Sequence, residues 1–316
     1  MESEFFFWIV FAVVFIVVFA IDMYGIDHRS GKIKIKSALI WSSVWVSISI
    51  AFGIFIYFYL QDGDVKALEF AASYLVEYSL SVDNLFVFIM IFSVMGIEEK
   101  FQPRILMWGI IGAVIMRILF IVVGVHLLQR FHIVIYLFGL VLVYTAIRML
   151  FRKDEKVDPV NNIFVKLASR IFPVRHEPMK DHFFIKENGK LHATVAFITL
   201  VLIESTDLIF AVDSIPAVLA ITSDPFIAIT SNLFAILGLR SLYFALSGIL
   251  GLFRYLKTGI AFILMFIGIK MLISGILYIP IQVSLLVIIL SIAVSIAASV
   301  WIKKKDNAGK NTGIKP

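Results

Sequence analysis

Nine apolar runs of about 20 residues, at 5–21, 37–60, 68–96, 105–128, 132–151, 193–222, 227–251, 257–279 and 282–302, dictate what this chain can become. At 1.5 Å rise per residue such runs cross a hydrocarbon core roughly 30 Å thick. With 61% apolar and 16% charged residues, the sequence reads as an all-α polytopic membrane protein of nine transmembrane helices.

The basic residues set an orientation. Of the 28 Lys and Arg, 22 fall in the loops after runs one, three, five and seven and in the tail, and only Lys66 and Arg130 fall in the others. The positive-inside rule therefore predicts an external N-terminus and a cytoplasmic C-terminus. This asymmetry accounts for the formal charge of +6, so nucleic-acid binding is not called for. The first run follows Glu2 and Glu4 and lacks a small-x-small cleavage site, so it reads as a retained helix. Cysteine is absent, which excludes disulfides, iron–sulfur clusters and thiolate metal sites.

The organisation expected is two helices and a basic loop in 1–65, a three-helix unit in 66–151, a cytoplasmic loop in 152–192, a second three-helix unit in 193–279, and a ninth helix with a basic tail in 280–316. The loop is too short to bury its own core. In it, Asn188-Gly189 between partly alternating apolar positions predicts a small hairpin. It reads as a connector, with a regulatory role as the alternative.

Inside these runs stand five carboxylates: Glu77 and Asp83 in run three, and Glu204, Asp207 and Asp213 in run six. An Asp at the centre of a membrane helix costs roughly 2.5–3.5 kcal/mol, so five uncompensated acids would cost on the order of 12–17 kcal/mol. A cation, protons, fixed Arg or Lys, or a water-filled path must offset that.

The two acidic stretches also match each other. A shift of 130 residues lays Glu77 on Asp207 and Val82-Asp83-Asn84 on Val212-Asp213-Ser214. Further on, Arg117 answers Arg240, and Ile147-Arg148-Met149-Leu150 answers Ile269-Lys270-Met271-Leu272. A three-helix unit repeated directly must enter the membrane from the opposite face, so spans 3–5 and 6–8 are expected as inverted repeats. That transporter architecture puts a substrate site near the midplane. Chance likeness between apolar sequences is the alternative.

On a regular helix Glu77 and Asn84 share a face, as do Asp207 and Ser214, while Asp83 and Asp213 sit about 100° away. Pro216 is expected to kink or open the helix beside Asp213 and free a carbonyl. Glu77, Asp83, Asn84, Glu204, Asp207, Asp213 and Ser214 make an oxygen-rich set suited to Mg²⁺, Ca²⁺ or Mn²⁺. Arg117, Arg240, Lys270 and Arg148 are the charge-balancing or gating candidates. Ion pairing between the acids and three of these bases, Arg117, Arg240 and Lys270, is the competing structural reading. His126 and His132 near the ends of runs four and five read as interfacial. The sequence lacks His-Glu-x-x-His, Gly-x-Ser-x-Gly and a nucleotide-binding Gly-x-x-x-x-Gly-Lys-Ser/Thr loop, so an enzyme is not expected.

The run Glu77-Tyr-Ser-Leu-Ser-Val-Asp-Asn-Leu-Phe-Val-Phe88, the run Glu204-Ser-Thr-Asp-Leu-Ile-Phe-Ala-Val-Asp-Ser-Ile-Pro-Ala217 and the stretch Asn232-Leu-Phe-Ala-Ile-Leu-Gly-Leu-Arg-Ser-Leu-Tyr243 resemble the TerC/Alx family of bacterial membrane proteins. The resemblance covers about 66–279. It implies a secondary transporter of the bacterial inner membrane that exports Mn²⁺, with the seven residues of the oxygen set as ion ligands. Mn²⁺ is then a transported substrate and no cofactor is implied. The expected partners are the bilayer, a divalent metal ion and protons, with oligomeric state left open. Exchange of Ca²⁺ or Na⁺ on the same scaffold, or a non-transporting stress sensor or scaffold, are the alternatives.

Overall fold

Lipid offers no partner for a backbone N–H or C=O, so apolar runs of this length satisfy those groups within helices. A computed structural model describes residues 2–25, 35–131, 133–151, 162–175, 182–187, 190–247 and 255–311. The chain runs as α1 (Glu2–Ala20), a π-turn (Ile21–Gly25), α2 (Ile35–Tyr59), α3 (Gly63–Val94), α4 (Gln102–Arg130), α5 (Ile133–Phe151) and α6 (Ile163–Ile171). Strands β1 (Val174–Arg175), β2 (Phe184–Glu187) and β3 (Lys190–Thr194) lead into α7 (Val195–Leu219). Then follow α8 (Pro225–Ile236), α9 (Leu239–Ser247), α10 (Leu256–Leu272) and α11 (Ile281–Asn311).

Among the described residues, eight helices are long and apolar enough to cross a membrane, with α8 and α9 together forming one of them. The sequence predicts nine. The difference lies at 257–279, where α10 stops after 17 residues and gives way to turns around Ser274 and Gly275. Its length of about 25 Å falls short of a full crossing on its own.

One further expectation is corrected. α7 continues through Pro216 to Leu219, so the proline does not open the helix beside Asp213. It stands one turn from the end, where Ala220 N–H already bonds the Pro216 carbonyl at 2.9 Å. The interruption lies instead between α8 and α9, at Leu237 and Gly238. Gly238 has φ +81°, and a Cβ there would stand 2.2 Å from Trp45 Cδ1 on α2, so both backbone and packing demand glycine.

The interrupted α8–α9 span is the centre of the molecule, with 94% of its 18-residue apolar window buried. Its start is fixed locally, since Asp224 caps α8 by accepting from the Phe226 N–H at 2.9 Å and Pro225 occupies the first turn. Phe11 of α1, Phe52 of α2 and Phe70 of α3 close around Phe234, with ring centroids 5.9, 4.7 and 6.1 Å from it. α4 lies along α7 in parallel, Gly109 against Ile203 and Gly124 against Leu219. α5 and α10 cross antiparallel, backbone to backbone at Gly139 and Gly268, with Tyr136 beside Gly275. Such close crossings are how membrane helices gain packing energy without a hydrophobic drive between them.

The loop expected at 152–192 carries more than a hairpin. β2 and β3 pair antiparallel, Phe184 opposite Ala193, and β1 adds in parallel to β3. The Asn188-Gly189 turn lies outside the described residues. Ahead of the strands, Asn162 caps α6 by accepting from Phe164 N at 2.9 Å and donates from Nδ2 to Ser205 Oγ of α7 at 3.0 Å. The loop is thereby docked on α7, one residue from Glu204.

Candidate functional site

Glu77 is fully buried in the middle of α3, where polar side chains of three helices meet it. Ser81, one turn on, donates to its Oε1 at 3.3 Å. Arg117 of α4, itself 1% exposed, donates from Nη1 to the same Oε1 and to Asn232 Oδ1 of α8 at 2.9 Å. Asn232 returns a bond from Nδ2 to Glu77 Oε2 at 3.2 Å. The other arm of the guanidinium, Nη2, reaches Asp207 Oδ1 of α7 at 3.4 Å. Four helices thus meet at one arginine.

The two acids held by Arg117 are the pair that the internal repeat places in register. The guanidinium is rigid and planar with donors along two edges, so it can bridge carboxylates that a lysine could address only one at a time. Its Nε and Asp207 Oδ2 are buried without a hydrogen-bond partner. A buried polar atom left so costs about 1–3 kcal/mol, which makes these two atoms the natural contacts for a further polar group. A small cavity bounded by Phe88, Gly109, Ile110, Arg117, Asp207 and Arg240 adjoins it.

The remaining candidates divide into separate places. Glu204, one turn before Asp207, is half-buried and lies over Gly112 of α4, where a Cβ would stand 2.2 Å from its Oε1. Asp213, also half-buried, accepts from Thr145 Oγ1 of α5 at 2.7 Å, and Arg148 is its neighbouring positive charge. Asn84 is buried, and Ser214 is buried with its Oγ unpartnered. The side chain of Asp83 lies outside the described residues, as does His132, while His126 is exposed.

The described acids are therefore not gathered into one pocket. Among the described residues no three His, Asp or Glu side chains form a group that could hold a metal ion. The physical reason is Arg117, whose guanidinium occupies the space between Glu77 and Asp207. Arg240 and Lys270, read from the sequence as further counter-charges to the acids, make their described ion-pair and hydrogen-bond contacts with other groups. Arg240 pairs with Asp22 in the π-turn after α1, and Lys270 donates to Ser284 Oγ of α11 at 2.9 Å, with Glu69 the nearest acid in its field.

Three participants escaped the sequence reading. Asn232 carried a signal, as an amide within an apolar span, but its partner could not be inferred. Thr145 and Gly112 carried none, because a threonine or glycine in a membrane helix is ordinary.

Comparison with known proteins agrees with this architecture. The profile of the Integral membrane protein TerC family matches residues 62–307. A membrane protein of Myxococcus xanthus, STKORF319, is 42% identical over 293 residues, covering 92% of this chain and 91% of the relative. The Escherichia coli K12 protein Alx, provisionally described as a membrane-bound redox modulator, is 40% identical over 307 residues, covering 95% of this chain and 96% of the relative. The Salmonella typhi protein of the same description is 39% identical over 302 residues, covering 93% and 94%. No solved structure matches the chain. The chain belongs to the TerC family of integral membrane proteins.

Proposed function

We propose that the protein is a secondary transporter that exports a divalent metal cation, with Mn²⁺ as the leading candidate, from the cytoplasm of a bacterium across its inner membrane. The observation that carries this reading is the bridge from Glu77 through Arg117 to Asp207, which joins the corresponding acids of the two three-helix units deep in the bundle. Glu77, Asp207 and nearby Glu204 against one guanidinium leave two negative charges, the complement of a divalent ion.

In this reading Arg117 is a resident counter-charge that the metal must displace. A hard cation prefers carboxylate, amide and hydroxyl oxygens, which Glu77, Asp207, Asn232 and Ser81 supply on three helices. Displacing the guanidinium would draw the two units together about the metal, and rocking of one unit against the other would expose it alternately to each side. The antiparallel crossing of α5 and α10 at Gly139 and Gly268 supports an inverted pair, since these helices hold equivalent positions in the two units. Protons taken up by the acids on the outer side would release the cation.

This assignment makes the protein neither an enzyme nor the holder of a resident cofactor. It also gives the description of the Alx relatives a physical route. A chain without cysteine has no thiol to oxidise, but moving a redox-active metal alters the redox state of a cell. Ca²⁺ is the second reading, because an all-oxygen donor set serves it as well.

The test is metal content and flux. Cells expressing the protein should hold less Mn²⁺ than controls, and Asp207→Asn should lose about tenfold or more of the flux while still inserting in the membrane. Normal Mn²⁺ export by Asp207→Asn at wild-type abundance overturns the site. The proposed orientation is checked by placing a cysteine at Asn188, which an impermeant reagent added outside intact cells should leave unlabelled.

A further inference from the structure

Far from the buried acids, the outward face of α2 carries a shallow furrow with a volume of about 600 Å³. Ser43, Ser47 and Ala51, one turn apart, form its floor, with Leu39 on one flank and Ile40 and Val44 on the other. The three flanking side chains are exposed. From Lys36 to Ala51 the lining extends about 22 Å, which is more than one leaflet of a core roughly 30 Å thick.

The floor is polar in composition but not in what it offers. Ser43 Oγ donates to the Leu39 carbonyl at 2.9 Å and Ser47 Oγ to the Ser43 carbonyl at 2.8 Å, so both donors close within the helix. A floor satisfied in this way accepts hydrocarbon.

Charge lies at one end only. Lys36 is exposed in the first turn of α2, on the same face as Ser43 and Ser47, and no acid lines the furrow among the described residues. In the sequence Arg29, Lys32 and Lys34 precede it, which makes four basic residues within eight positions beside a membrane helix. Such a cluster attracts anionic headgroups. Small residues on a membrane helix also invite a second helix, and here charge opposes that occupant. Two copies inserted the same way and related by a twofold through this face would set Lys36 against Lys36, with the preceding basic residues of each chain behind them.

We infer that the furrow of α2 binds one anionic phospholipid, its phosphate on Lys36 and an acyl chain along Ser43 and Ser47. In the proposed orientation this lipid belongs to the cytoplasmic leaflet. The opposite face of α2 holds the core, where the buried Trp45 stands against Gly238 at the α8–α9 break and the Phe52 ring lies 4.7 Å from that of Phe234. A lipid seated in the furrow therefore backs the helix against which the broken span packs, and its binding stabilises the whole bundle. The inference does not depend on which ion the protein moves.

The experiment uses the full chain in detergent, with phosphatidylglycerol or phosphatidylcholine of identical acyl chains added, and reads bound lipid by native mass spectrometry and stability by thermal unfolding. The wild type should retain one phosphatidylglycerol and gain Tm from it, and should retain phosphatidylcholine at least fivefold less. Lys36→Gln, a change at an exposed position that leaves the fold intact, should weaken phosphatidylglycerol about fivefold and leave phosphatidylcholine unaltered. Ser47→Leu, which fills the floor, should reduce retention of both lipids. Equal retention of the two lipids by the wild type overturns the inference, as does wild-type retention of phosphatidylglycerol in Lys36→Gln. A dimer that holds no phosphatidylglycerol and dissociates in Ser47→Leu assigns the face to a second copy and overturns it as well.

Discussion

Arg240 of α9 is paired with Asp22 at the end of the first membrane helix, and not with the acids that its counterpart Arg117 holds. Both side chains are nearly inaccessible, Asp22 at 1% and Arg240 at 3%. The pair ties the N-terminal helices to α9 two residues past the interruption at Gly238. Breaking a buried pair by removing one partner costs about 3–5 kcal/mol, because the other charge stays buried. Asp22→Asn and Arg240→Gln should each lower thermal stability in detergent, and the double variant should be less destabilised than the sum of the singles by about 0.5–3 kcal/mol. Strict additivity would show that the two side chains do not act together.

Arg117→Gln should destabilise the metal-free protein by about 3–5 kcal/mol, since Glu77 and Asp207 lose their only described counter-charge. The same change should increase the stabilisation given by added Mn²⁺, because the competitor for the two carboxylates is gone. Thermal unfolding with and without Mn²⁺ measures both. An unaltered metal-induced shift in Tm would remove Arg117 from the site.

Gly112→Ala separates packing from function. The nearest atoms to the added methyl would be those of the Glu204 carboxylate, a flexible tip that can rotate away, so the fold should lose about 1 kcal/mol. Transport should fall steeply, by about tenfold, because a shift of about 1 Å in a positioned group is enough to spoil a site. Wild-type flux in Gly112→Ala would mean that the placement of Glu204 over α4 is incidental.

Gly238→Ala meets two penalties at once. A left-handed backbone costs an L-residue about 1–2 kcal/mol, and the methyl would also overlap the Trp45 ring. Removing the ring relieves only the second. Trp45→Ala combined with Gly238→Ala should therefore be less damaging than the sum of the two, as read from Tm, and additive effects would place the ring clear of the glycine.

Much of the architecture was written in local sequence. The length of each apolar run fixed which segments become helices, because lipid forces backbone hydrogen bonds to close within the segment. The hairpin on either side of Asn188-Gly189 depends on neighbours a few residues away, and it was legible for that reason. Where a local signal was weighed against its surroundings it misled, as at Pro216, whose missing N–H is tolerated one turn from the end of α7. The shortening of the eighth run into α10 was equally hidden, since the apolar run continues past Ser274 and Gly275 to 279 while the helix stops at Leu272.

For the site, the sequence by itself determined that costly carboxylates lie within the membrane, that they come in two matching sets, and that three or four basic residues accompany them. Which base meets which acid belonged to the tertiary structure. Arg117 reaches Glu77 across 40 positions and Asp207 across 90, and Asn232 reaches Glu77 across 155. Arg240, its match in the repeat, is turned by the broken α8–α9 span toward Asp22. Charge type is a property of a residue and can be read along the chain, whereas pairing depends on distance and desolvation, and these exist only once the helices have packed.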